Sequence, residues 1–228
     1  MTLSELSEHM WPLPPKNQVS EPAERPFCRV LSSQDDHDRA TEPLEAVLER
    51  HNIRNWEWLL IGDGSGSRRV NACGWSCVVC ERGTNRREAF GGAMTHGTSM
   101  IGEIMPYLQA LDWIAEYEEK RRTRPVPRRR GGPRVHILTD SAACVSRGNR
   151  PGVEAESHPV LWQALDGFRH RGMEITWHHI PRRSVGCNIY TDHYGRALRI
   201  LLDTYRPAGP TFHGQDKESF RDVHAWNP

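Results

Sequence analysis

Asp63, Glu103, Asp140 and Asp192 are the side chains of this sequence best suited to chemistry. Asp63 follows the apolar run Trp58-Leu59-Leu60-Ile61 and opens Gly-Ser-Gly, while Asp140 follows Val135-His136-Ile137-Leu138-Thr139 and opens Ser-Ala-Ala. Both carboxylates are therefore expected where buried strands end. Glu103 lies early in an apolar-periodic helix and Asp192 on a later one, so four distant segments can converge on one patch. Carboxylates gathered in one cleft repel each other and raise each other's pKa values unless a divalent cation neutralises them. Oxygen-only ligands favour Mg²⁺ or Mn²⁺ over zinc, and the set reads as a metal-binding nuclease site.

The elements that must position these residues follow from hydrophobic period and turn chemistry. Residues 1–40 are rich in Pro, Ser, Glu and Asp without sustained periodicity and read as an extended or disordered arm. Its apolar points, Trp11 and Phe27 among them, make it a candidate contact for a protein partner. From Thr41, an N-cap candidate, an early proline and Leu44, Val47 and Leu48 predict a short helix. Three β-rich runs come next, at about 56–61, 74–81 and 88–96, and the Gly and Asn between them suit hairpins joining antiparallel neighbours. A helix over 99–117 is predicted from Ile104, Leu108, Leu111 and Ile114, with Pro106 tolerated near its start. A strand at 135–139, a helix from Ser141, a helix over 158–170, a strand at 174–180 and a helix over 188–205 complete the pattern. This βββαβαβα order, with an extra helix before the fifth strand, implies an α/β fold. Its five-stranded mixed sheet has three antiparallel strands, then two parallel ones, flanked by helices.

At 228 residues and 26.1 kDa the chain suits one domain with tails, and we read a domain over 41–206 with a polar tail over 207–228. A mean hydropathy of -0.69 is low for a fully packed chain, consistent with ends and a loop that add little to the core. No stretch reaches the roughly 20 apolar residues that span a bilayer, and the N-terminus lacks a secretory pattern. A cytoplasmic protein without a membrane partner is expected. The net charge of +1 conceals a concentrated basic segment over 120–134, KRRTRPVPRRRGGPR, which has no acidic residue. Its local field suits phosphate, although such runs also serve as solvated linkers.

Of the six cysteines, Cys77 and Cys80 form a CxxC. They fall on a predicted strand, where positions three apart face opposite sides, and no second CxxC or His pair follows. Packed, reduced cysteines are expected instead of a zinc site.

The motifs together make the chain resemble type 1 ribonuclease H, within the ribonuclease H-like superfamily, over about 58–202. Asp63-Gly64-Ser65 with Gly74-Trp75 resembles the family's first two strands, and Thr98-Ser99-Met100-Ile101-Gly102-Glu103 the helix that carries its catalytic glutamate. Thr139-Asp140-Ser141 is similar to its third motif, Leu161-Trp162-Gln163-Ala164-Leu165 to its helix before the fifth strand, and Asn188-Ile-Tyr-Thr-Asp192 to its final block. Taken singly, Asp63 suits a turn, Asp140 a helix cap and Glu103 a helix N-terminus. Four coincidences in the family's order favour the catalytic reading.

The resemblance implies hydrolysis of the RNA strand of RNA/DNA hybrids with two divalent ions, Mg²⁺ or Mn²⁺. It implies Asp63 as the bridging ligand, Glu103 and Asp140 on the leaving-oxygen side, and Asp192 on the nucleophile side. Ser65, Asn71, Thr98, Ser141, Arg183 and Asn188 are the candidate substrate contacts, since telling RNA from DNA depends on minor-groove 2′-hydroxyls. Trp75 is expected to pack with the sheet. The sequence departs from the family at Ile189, where a glutamate is usual, and in the turn over 180–187, which has no histidine and offers Arg182 and Arg183. The rival readings are a nuclease of the same fold acting on another structured nucleic acid, and a non-catalytic nucleic-acid-binding or assembly module.

Overall fold

The computed structural model describes residues 41–67, 72–84, 87–122 and 131–204. The arm over 1–40, Asn71, positions 123–130 of the basic segment and the tail from 205 lie outside them. In chain order the elements are α1 (Leu44–Arg50), β1 (Trp58–Ser67), β2 (Ala72–Glu81), β3 (Arg87–Thr95), α2 (Ser99–Arg122) and β4 (Arg134–Thr139). After them come α3 (Ala142–Gly148), α4 (Pro159–His170), β5 (Glu174–His179) and α5 (Gly186–Thr204).

The strands form one sheet in the order β3-β2-β1-β4-β5. β1, β2 and β3 pair antiparallel, whereas β1–β4 and β4–β5 pair parallel through helical connections. The sheet is thus five-stranded and mixed, as the sequence pattern implies. Its central strand β1 is buried along Trp58 to Asp63, and alternation sends successive side chains to opposite faces. Trp58 and Leu60 join a core with Trp75 of β2, Ile104, Tyr107 and Leu111 of α2, and Leu161 and Leu165 of α4. Leu59 and Ile61 join a second core with Val47 and Ile53 of the α1 region, Leu138, Ile180 and Val185. No helix among the described residues is long and apolar enough to cross a membrane.

Three local expectations are corrected. α1 begins at Leu44 behind Pro43, with no side-chain cap from Thr41, because a proline disfavours helical backbone at the residue before it. β1 does not stop at Ile61 but continues through Gly62-Asp63-Gly64-Ser65-Gly66 to Ser67, paired with β2 as far as Ser67↔Ala72. The glycines that read as a turn are instead strand positions beneath a helix. A Cβ on Gly64 would lie 2.2 Å from the Gly102 carbonyl carbon, and one on Gly66 2.5 Å from Ser99 Cα. α2 also runs on to Arg122, past the expected Tyr117, with Pro106 inside it. Since Pro106 has no N–H, the Gly102 carbonyl lacks its ordinary helical donor, and it is this turn that rests on Gly64.

Cys77 and Cys80 do belong to opposite cores, so their thiols diverge. Cys73, Cys77, Cys80 and Cys144 are buried free thiols.

Candidate metal centre

Parallel pairing of β1 with β4 ends at Ile61↔Leu138, and the two aspartates lie just beyond, Asp63 still on β1 and Asp140 immediately after β4. Tyr107 holds these strand ends in place, its hydroxyl donating to the Gly62 carbonyl at 2.7 Å. α2 approaches from one face. Thr98 caps it by accepting the Ile101 N–H at 3.2 Å, and the Gly64–Gly102 contact sets its first turns directly on β1, which brings Glu103 beside Asp63. α5 approaches from the other. Ser76, paired across from Asp63, donates to the Thr191 carbonyl at 2.9 Å, and Gly74 leaves room for the Gly195 backbone. Asp192 is thereby brought near the same strand end.

Carboxylate oxygens of Asp63, Glu103 and Asp140 lie within 4.8 Å of one another, the one group among the described residues with three-ligand metal geometry. Asp63 Oδ1 accepts the Gly64 N–H at 2.7 Å, but buried Asp63 Oδ2 and Glu103 Oε2 have no hydrogen-bond partner. Two orphaned acceptors in the same cluster are what a hard divalent cation satisfies, so the residues fit Mg²⁺ or Mn²⁺.

The electrostatics agree. Burial, then the charges of Asp140 and Asp192, push the Asp63 carboxyl up to about 7. Burial, with Asp63 and Asp140, pushes Glu103 up to about 9. Burial also raises Asp140, against the opposing charge of Arg182. Metal-free, this cluster holds protons at pH values where isolated carboxyls have lost them.

Asp192 stands in a different state. It is 4% exposed, and both of its oxygens are engaged: Arg182 Nη2 donates to Oδ1 at 2.8 Å and Arg183 Nη2 to Oδ2 at 3.4 Å. Burial favours its protonated form, yet the Arg182 hydrogen bond and charge, joined by Arg196 and Arg183, hold the carboxyl below its ordinary value. Three of the four expected ligands thus form one open cluster, while the fourth is held beside it by arginines.

The candidate substrate contacts separate. Ser65 lies two residues beyond Asp63 on β1 and is half-buried. Thr98 is exposed, and its hydroxyl also meets His158 Nε2 at 3.0 Å. Ser141 caps α3 by accepting the Cys144 N–H. Asn188 is fully buried, and its Oδ1 accepts the Arg183 N–H at 2.6 Å, so it shapes the turn before α5 rather than facing solvent. That bond supports Arg183 in left-handed backbone at φ 60°. Arg183 reaches Asp192, and Asn71 lies outside the described residues. Trp75 packs in the core and donates to Gln109 Oε1 at 2.9 Å.

Ser76 and Tyr107 enter the site without having been singled out as its members, and Arg182, offered together with Arg183 by the basic turn, makes the shorter bond to Asp192. The basic turn was the available signal for Arg182, but the sequence does not distinguish two adjacent arginines. Nothing in the sequence marks Ser76 or Tyr107, whose roles arise from a strand register and a helix docking.

No protein-family model and no curated protein matches the chain. Solved structures do. The N-terminal RNase H domain of a Mycobacterium tuberculosis protein, solved as a fusion with maltose binding protein, aligns at a TM-score of 0.51 and 16% identity. That alignment covers 66% of this chain and 98% of the domain. LC11-RNase H1 in complex with an RNA/DNA hybrid aligns at a TM-score of 0.49 and 14% identity, over 64% of this chain and 98% of its own. RNase H1 from the halophilic archaeon Halobacterium salinarum aligns at 0.45 and 17%, with the same coverage. Strand order, mixed pairing and the Mycobacterium alignment agree, and the chain has the ribonuclease H-like fold.

Proposed function

We propose that this protein is a divalent-metal-dependent endonuclease that hydrolyses the RNA strand of RNA/DNA hybrids. The observation that carries the reading is the Asp63–Glu103–Asp140 cluster, with two buried carboxylate oxygens lacking any partner at the mouth of the β1–β4 pair. A structural carboxylate buried this deeply is ordinarily paired or hydrogen-bonded. A pure nucleic-acid binder gains nothing from such acids facing phosphate. The RNase H domain from M. tuberculosis, whose fold this chain shares, supports the choice of phosphodiester hydrolysis.

In this reading Asp63, Glu103 and Asp140 would hold one ion, and Asp192, paired in this structure with Arg182 and Arg183, is the neighbouring carboxylate for a second. Mg²⁺ or Mn²⁺, when bound, supplies charge stabilisation to the phosphate and lowers the pKa of a water. The chain's own groups do the rest. The Gly64 N–H anchors Asp63 Oδ1 and leaves Oδ2 free for the cluster. The Gly64–Gly102 packing holds Glu103 against Asp63 without an intervening side chain. Ser65 and Thr98 flank the acids with hydroxyls suited to a sugar edge, and the arginines of the basic segment supply phosphate attraction.

The test is cleavage of a labelled RNA/DNA hybrid with Mg²⁺, with Mn²⁺ and with chelator, for wild type and Asp63→Asn, beside duplex RNA and duplex DNA. Metal-dependent cutting of the RNA strand of the hybrid alone, lost in the variant, is expected. Cutting of another duplex instead would redirect the substrate, and no cutting by folded wild type with either metal would sink the enzymatic reading.

A further inference from the structure

The acidic cleft already contains a cation of its own. Arg182 Nη2 donates to Asp192 Oδ1 at 2.8 Å, and its Nε lies 4.0 Å from Asp140 Oδ2, so one guanidinium bridges the two acids. Arg183 takes the other Asp192 oxygen at 3.4 Å. In the neighbouring cluster Asp63 Oδ2 and Glu103 Oε2 have no partner. The site is therefore asymmetric, open at Asp63 and Glu103 and closed by arginine at Asp192.

We infer that Arg182 is a latch on the Asp192 side of the centre: the resting protein takes one divalent ion at Asp63–Glu103–Asp140, and a second only when Arg182 releases Asp192. This inference rests on the metal-dependent reading above and says which part of that site is open. Its physical basis is charge and geometry. A guanidinium fork matches a carboxylate and occupies the oxygens that a hard cation needs. A divalent ion arriving at Asp192 would also meet two guanidiniums in direct contact with its oxygens, whereas at Asp63 and Glu103 the Arg182 charge acts only from a distance.

The latch is anchored at its base and exposed at its tip. The turn is fixed because buried Asn188 accepts the Arg183 N–H at 2.6 Å and the Ser184 N–H donates to the Pro181 carbonyl at 3.1 Å. The Arg182 side chain, however, is 57% exposed while that of Asp192 is 3% exposed. The exposed Arg182 side chain has room to swing into solvent, but its departure leaves buried Asp192 without its shorter hydrogen bond, a cost that an arriving divalent ion would offset. Asp192 on α5 cannot follow it.

The experiment counts Mn²⁺ bound to the full chain, by calorimetric titration and by the electron paramagnetic resonance of free Mn²⁺, for wild type, Arg182→Ala, Asp192→Asn and the double variant. Wild type is expected to bind one ion tightly. Arg182→Ala is expected to gain a second site, at least about tenfold tighter than any second site in wild type, within the range usual for coupled sites. The double variant should return to one ion, showing that Asp192 provides the new site. Arg182→Lys, which keeps the charge but loses the fork, should fall between wild type and Arg182→Ala.

Equal stoichiometry and affinities in wild type and folded Arg182→Ala, with tight binding still dependent on Asp63, would overturn the latch and leave the metal centre standing. Binding of no Mn²⁺ by wild type, or binding indifferent to Asp63→Asn, would overturn the metal centre itself and the latch with it. Circular dichroism and thermal unfolding of each variant separate either result from misfolding.

Discussion

The candidate centre works by leaving buried carboxylate oxygens without protein partners, which makes the metal-free state electrostatically unfavourable. Replacing Asp63 or Asp140 by Asn removes a ligand while relieving repulsion, so cleavage should fall below detection. Thermal stability without metal should hold or rise, as unfolding scans in chelator will show; a variant still active would rule out this site. The pH dependence follows from the raised carboxyls. Asp63 moves from an ordinary 3.8 to about 7 and Glu103 from 4.5 to about 9, so the folded protein binds these protons more tightly than the unfolded chain. The stability they confer is full below the unfolded values and is lost as pH rises through about 7 and then about 9. In chelator the melting temperature should therefore fall between about pH 5 and pH 9 in wild type, with a shallower fall in Glu103→Gln. Saturating Mn²⁺ should oppose the fall, because the deprotonated cluster is the form that binds it. A melting temperature independent of pH in chelator would show that these carboxyls are not perturbed. At this scale the acids stood out as candidates in the sequence, since Asp63 and Asp140 follow apolar strand runs while Glu103 and Asp192 fall on predicted helices. Arg182 was legible only as one of two arginines in its turn, because a side chain's reach depends on the turn that carries it.

Among the elements, glycine decides how closely the helices meet the sheet. Gly64→Ala places a methyl 2.2 Å from the Gly102 backbone, where neither strand nor helix can yield by side-chain motion. Overpacking of this kind costs about 1–3 kcal/mol and occasionally more. Urea denaturation should show that loss, together with a fall in activity as Glu103 is displaced from Asp63. Gly167, inside α4, has nothing within 4 Å of a built Cβ. Gly167→Ala should stabilise the protein by roughly 0.5–1 kcal/mol with activity unchanged, since alanine loses less backbone entropy in a helix. Opposite signs for two Gly→Ala changes would support close approach, rather than glycine content, as the feature that matters; matching signs would refute it. The order of strands and helices was readable from periodicity, but the length of β1 was not. A Gly-Asp-Gly-Ser-Gly sequence has turn chemistry, and only its ladder with β2 and the helix above it make it a strand.

For the whole molecule, a net charge of +1 is no guide to nucleic-acid binding, because eight basic residues and no acidic one concentrate over 120–134. Changing Arg128, Arg129 and Arg130 to alanine should weaken hybrid binding and flatten its salt dependence. The log–log slope should fall by about 0.7–0.9 for each phosphate that is no longer neutralised, measured by anisotropy from low to moderate salt. An unchanged slope would leave the segment as a spacer. The cut-strand preference should not change, because phosphate contacts carry no sugar identity.

The class of fold and the order of its elements were legible in the chain's local pattern, and the four acids were nominated by it, since hydrophobic period and strand-end polarity are written into neighbouring residues. Which of those acids stand together, and which is already paired, came from the three-dimensional packing. Asp63, Glu103 and Asp140 share one cluster because β1 and β4 end side by side and Gly64 admits α2. Asp192 is held by Arg182 because Asn188 folds the turn before α5. Such facts depend on register, docking depth and rotamer, which join residues far apart in the chain and leave no periodic trace along it.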